Sequence, residues 1–103
     1  MRFHPLLPST ELFDGFKRVF EVAGQRILLI QETGMLFAIE DKCGHFGVSL
    51  EKGAVCAGGI RCGVHGVEFD LSSGLVRHST VEQCDPVRCF TVVRRAGLVG
   101  VAF

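Results

Sequence analysis

The 103-residue chain has no net formal charge, eleven Lys and Arg being offset by eleven Asp and Glu. It therefore lacks the basic stripe that a nucleic-acid or polyanion binder needs, and it sets up no strong long-range steering field. No apolar run is long enough to cross a bilayer. The opening Met1-Arg2-Phe3-His4-Pro5 leads into too brief an apolar stretch for a secretory signal. A soluble, cytoplasmic, monomeric protein is expected, with neither membrane nor nucleic acid as partner. Low-complexity segments, internal repeats and linkers are missing, as is any pattern for a helix of three turns. Five cysteines, an odd number, exclude a complete set of internal disulfides. The chain has no tyrosine.

What the chain does have is glycine. Thirteen glycines punctuate short runs rich in Val, Ile, Leu and Phe, which is an all-β texture. Residues 17–22, 25–31 and 35–40 read as a meander, turned at Ala23-Gly24 and at Glu32-Thr33-Gly34. Residues 88–94 and 98–103 read as a closing hairpin around Ala96-Gly97, which makes the Arg94-Arg95 pair part of a surface turn. A short turn is expected at residues 9–11, with Ser9 as its cap. Between Asp41 and Gly74 glycine becomes denser, and only residues 60–61, 68–70 and 75–77 are credible strands. The expectation is a single domain over residues 1–103. It is an antiparallel β-sandwich built from the two ends of the chain, with a small loop-rich subdomain inserted at about residues 41–76.

Two compact pairs of metal-binding side chains lie in that insert, Cys43-Gly44-His45 and Cys62-Gly63-Val64-His65. Sixteen residues separate His45 from Cys62. A metal centre needs free backbone N–H groups near its sulfurs, and loops provide them where a paired ladder cannot. Two thiolates and two imidazoles suit structural zinc. They equally suit a two-iron, two-sulfur cluster with the cysteines on one iron and the histidines on the other. The familiar zinc spacing places both cysteines first and both histidines last, unlike the order here. Four such residues in two tight pairs argue against ordinary polar loop histidines. Cys56, Cys84 and Cys89 have no histidine at ligand spacing and read as small structural hydrophobes. His4 and His78 read as surface or strand-end residues.

The order Cys-x-His, then sixteen residues, then Cys-x-x-His resembles the Rieske family. Gly47 and Leu50 after the first pair, and Gly66, Phe69, Asp70 and Gly74 after the second, extend the resemblance, which covers nearly the whole chain. It implies a Rieske-like antiparallel β-sandwich with an inserted cluster-binding subdomain. It also implies a [2Fe-2S] cluster held by Cys43 and Cys62 on one iron and by His45 and His65 on the other. Imidazoles in place of thiolates remove negative charge, which is why Rieske centres lie at about −150 to +300 mV, against about −400 mV for plant-type clusters.

High-potential members of the family add a disulfide between the two cluster loops, and a serine and a tyrosine that donate to cluster sulfurs. The matching positions here are Val48 and Val64 for the disulfide, Val67 for the serine and Phe69 for the tyrosine. The resemblance therefore implies a potential near the low end of the range. It points to a Rieske-type ferredoxin, an electron carrier and not itself an enzyme, which passes single electrons from a flavin-dependent reductase to a terminal oxygenase. The alternatives are a small subunit of a nitrite reductase-like enzyme and a structural zinc module. Two positions where many members have proline are Gly44 and Gly63, and Glu82 stands where another proline is common. The length leaves no room for the mononuclear iron domain of an oxygenase large subunit. Phe46, Val48 and Val64 flank the histidines and are candidates for an apolar docking collar, or for packing between the loops. Glu40, Asp41, Lys42, Glu51 and Lys52 are expected to form a solvated rim.

Overall fold

A computed structural model describes residues 1–43, 48–63, 66–79 and 84–103. Its strands are β1 (Phe3–Pro8), β2 (Lys17–Val22), β3 (Gln25–Glu32), β4 (Met35–Glu40), β5 (Ala54–Cys56), β6 (Gly59–Arg61), β7 (Glu68–Asp70), β8 (Val76–His78), β9 (Cys89–Arg95) and β10 (Leu98–Ala102). One sheet has the order β1-β10-β9-β4-β3-β2 and the other the order β5-β6-β7-β8. Every pairing is antiparallel. No helix among the described residues is long and apolar enough to cross a membrane.

Four hairpins share one design. The connections Ala23-Gly24, Thr33-Gly34, Ala57-Gly58 and Ala96-Gly97 each place two residues at positive φ, near 50° and then near 76°. They link residue pairs that face each other directly across the strands. This is the two-residue turn whose twist matches that of the flanking strands. Glycine takes the second position without strain, while Ala or Thr at the first accepts a conformation that L-residues seldom adopt.

β3 explains the layering. Its run Ile27-Leu28-Leu29-Ile30 is buried on both faces. Ile27 and Leu29 join Ala38 of β4, Phe90 of β9, Val99 and Val101 of β10, and Leu7 of β1 in one core. Leu28 and Ile30 join Ile39 in a second core with Leu50, Ile60, Val67, Phe69 and Leu71. The six-stranded sheet thus folds across the first core, and its other face carries the small sheet. Two polar ties reinforce that seat: the Gly58 N–H donates to Glu32 Oε1 at 2.7 Å, and Lys17 Nζ donates to the Gly53 carbonyl.

Three local expectations need correction. β1 was not expected; as an edge strand with a shift in register between Pro5 and Leu7, it accommodates Pro5 and Pro8. Ser9 is not a cap: it opens a 3₁₀ turn over Ser9–Glu11 whose cap residue is Pro8, with no side-chain cap bond. Strand β8 lies one residue later than expected. His78 ends that strand exposed. His4 stacks on Phe103 with ring centroids 4.3 Å apart. Arg94 and Arg95 are exposed, with Arg95 lying over the Phe3 ring at 4.7 Å.

Candidate metal centre

Two loops of the same build leave the sheets toward one place. The first follows β4, and the Cys43 N–H donates to the Val48 carbonyl at 2.7 Å. The second follows β6, and the Cys62 N–H donates to the Val67 carbonyl at 2.8 Å. Each loop is therefore closed by its cysteine onto the residue five positions later. The second is tightened further by the Gly66 N–H donating to the Cys62 carbonyl at 2.9 Å, with Gly66 at φ 68°. Because the two cysteine N–H groups close the loops, donors to the sulfurs must come from elsewhere.

Cys43 and Cys62 are 0% and 1% exposed and belong to the same core as Leu50, Val67 and Phe69. His45 and His65, with Phe46 and Val64, fall inside these loops and lie outside the described residues. Val48 is half-buried and packs against the core. Val67 and Phe69 are both fully buried. Neither carries a hydroxyl that could reach a sulfur.

Asp41 is the principal correction to the expected rim. Its side chain is fully buried and braces the first loop from below. It accepts from the Ser49 hydroxyl at 2.9 and 2.7 Å, from the Leu50 N–H at 2.8 Å, and from Arg26 Nη2 at 3.0 Å. Glu40 is also structural, its Oε1 accepting from the Arg88 N–H at 2.9 Å. Lys42 and Lys52 are exposed, as a solvated rim requires. Sequence reasoning took Asp41 for one more charge in a polar stretch. The signal it passed over was Ser49, a short donor on the far side of the same loop.

A third segment closes the site. The Val87 N–H donates to the Gly74 carbonyl at 2.9 Å, and the Gly74 N–H donates to the Asp70 carbonyl at 2.7 Å. Gly74 has φ 77°, and a Cβ there would collide with the Val87 carbonyl. Asp70 holds the turn before it. Hydrogen bonds from Ser72, then Arg77 and Ser73, keep its carboxyl well below the usual carboxylate range. Cys89 donates to the Leu71 carbonyl at 3.6 Å, and burial pushes its thiol up. Cys84 packs against the core that contains Cys43 and Cys62. Cys56, expected as a small buried hydrophobe, is exposed at the end of β5.

Two buried thiols at the mouths of matching loops, unbridged by any disulfide among the described residues, are a soft donor pair suited to an iron–sulfur cluster or to zinc. Comparison with known proteins decides the class. Residues 2–91 match the family described as the Rieske [2Fe-2S] domain. The oxygenase subunit of 3-chlorobenzoate-3,4-dioxygenase from Comamonas testosteroni is 33% identical over 94% of this chain and 24% of its own length. The chain spans between about a tenth and a quarter of the first curated relatives it matches. Among solved structures, the ferredoxin of carbazole 1,9a-dioxygenase from Nocardioides aromaticivorans IC177 superposes with a TM-score of 0.86 at 24% identity, covering 99% of this chain and 98% of that one. A complex of reduced oxygenase and oxidized ferredoxin in carbazole 1,9a-dioxygenase contains a chain that superposes at 0.84 with 25% identity, over 96% of this chain and all of that one.

Proposed function

The chain belongs to the Rieske [2Fe-2S] domain family, and from that premise we propose that it is a one-electron carrier, a ferredoxin serving a Rieske oxygenase. The observation that carries this reading is the pair of matching loops that bring Cys43 and Cys62, both buried, into one core. It is supported by a fold that covers nearly all of this chain and nearly all of a ferredoxin. The whole chain acts as one domain, with the insert of about residues 41–76 carrying the site.

The [2Fe-2S] cluster supplies a reversible one-electron couple. Cys43 and Cys62 would hold one iron, and His45 and His65 the other. Burial of the two cysteines would shield their side of the cluster from water. The donor is a flavin-dependent reductase and the acceptor a terminal oxygenase. The carrier works as a monomer in the cytoplasm, where reducing conditions suit five cysteines without a disulfide framework.

A low potential is part of the proposal. Hydroxyl donors stabilise the more negative reduced cluster, and the positions that would provide them are buried Val67 and Phe69. The test is iron and acid-labile sulfide analysis, followed by electron paramagnetic resonance of the reduced protein and a redox titration. Iron, sulfide, a Rieske-type signal and a midpoint in the lower part of about −150 to +300 mV are expected. A colourless zinc protein overturns the reading, and a midpoint well above zero overturns the low potential.

Docking onto the oxygenase uses the apolar residues beside the histidines, Phe46 and Val64, with Val48 contributing through its exposed edge. Phe46→Ala is expected to slow electron transfer to the oxygenase while leaving the visible spectrum and melting temperature unchanged. If the variant loses stability and keeps its transfer rate, Phe46 packs the loops and does not dock.

A further inference from the structure

Four of the five cysteines lie in or against the core that carries the site, although only two have histidine partners in sequence. Cys84 enters from the segment that Gly74 anchors, packs on the core holding Cys43 and Cys62, and is hydrogen-bonded to Cys43. We propose that the Cys84 thiol is a positioning donor to the Cys43 ligand sulfur, and that it raises the reduction potential of the centre. This rests on the reading of Cys43 as a cluster ligand.

The chemistry fixes which sulfur donates. A metal-bound cysteine is a thiolate, so Cys43 brings no proton to the pair. The hydrogen between the two sulfurs belongs to Cys84. Among the described residues, the same S–H also meets the Asp85 carbonyl at 3.7 Å. That is a long contact for a weak donor, and a thiolate is the stronger acceptor. Negative charge on the ligand sulfur grows on reduction, so the donor stabilises the reduced form more than the oxidised one. In this fold it stands in part for the hydroxyl donors that Val67 and Phe69 cannot supply. The segment that carries Cys84 also has its own anchor, the Val87–Gly74 hydrogen bond. The thiol is therefore delivered to Cys43 by backbone geometry, independently of the two ligand loops.

The test is the midpoint potential of the purified holoprotein and of two variants, Cys84→Ala and Cys84→Ser, each checked first for iron content and a Rieske-type resonance. Removing the donor is expected to disfavour reduction about threefold, about 28 mV for a one-electron couple at about 59 mV per tenfold. Serine, which keeps a donor of similar shape, is expected to stay at or above the wild-type potential. Equal potentials in all three proteins, or equal drops in both variants, overturn the proposal. A wild-type protein without a Rieske signal overturns the underlying reading instead, so the two failures are told apart. If alanine lowers cluster occupancy, the comparison of serine with wild type still decides: a drop in the serine variant overturns the proposal, and no drop supports it.

Discussion

Gly74→Ala is expected to destabilise the protein by about 2–5 kcal/mol and to lower its cluster content. Two costs act together. At φ 77° an L-residue loses roughly 1–2 kcal/mol of backbone energy. The added methyl also meets the Val87 carbonyl, with Cys89 Sγ at 3.2 Å behind it. Forcing atoms into a filled site costs about 1–3 kcal/mol, and a backbone carbonyl yields less than a side chain. Relief is available only by moving the Val87 segment, which breaks its hydrogen bond to Gly74 and draws Cys84 away from Cys43. For a domain of this size each kcal/mol is worth about 4–8 °C in melting temperature, so a fall of at least about 8 °C should be measured. Gly97→Ala is the control. Gly97 has a matching φ of 78° but nothing within reach of a Cβ, so it carries the backbone cost alone. If both variants melt together, the close approach of the 84–88 segment is not what constrains Gly74.

The parts of this molecule that could be read from its sequence are those whose signal is local. The β2-β3-β4 meander announces itself through alternating apolar runs and residue–glycine turns. The proposed ligand cysteines announce themselves through spacing. β5 was missed although Ala57-Gly58 repeats the turn of Ala23-Gly24 and Ala96-Gly97. Its strands are only three residues long, too short to show a period. β1 contains Pro5 and Pro8, and proline speaks against a strand until the strand is known to lie at an edge. The roles of Asp41 and Cys84 depend on contacts across the fold. Asp41 looks like a surface charge unless its partners at Ser49, Leu50 and Arg26 are known. Cys84 looks like a filler until the Val87–Gly74 hydrogen bond brings its segment back over the site. In both cases the residue was visible and its neighbours were not.

Asp41 supports the second large effect. Asp41→Ala is expected to cost about 3 kcal/mol in denaturant unfolding and to reduce the iron bound per chain. Its carboxylate is fully buried and accepts from three neighbours. Stripping it leaves the buried Leu50 N–H without an acceptor, at about 1–3 kcal/mol, and releases the Ser49 hydroxyl, at about 0.5–1.5 kcal/mol. In that variant the freed Arg26 adds little, because its side chain is 53% exposed and can return to water. The loss is therefore one of loop bracing more than of ion pairing, since both Ser49 and Leu50 lie just past the closure of the Cys43 loop. That distinction has a measurable consequence. Asp41→Asn keeps an oxygen acceptor and should retain about half of the stability that alanine loses, while Arg26→Ala, which removes the counter-ion but leaves the carboxylate its Ser49 and Leu50 donors, should cost less than Asp41→Ala. A large loss in Arg26→Ala, equal to that of Asp41→Ala, would mean that the ion pair holds the loop and the hydrogen bonds merely follow it. With Arg26→Ala clearly milder than Asp41→Ala and iron content falling only in the Asp41 variants, the buried carboxylate is the strut that sets Cys43 in place.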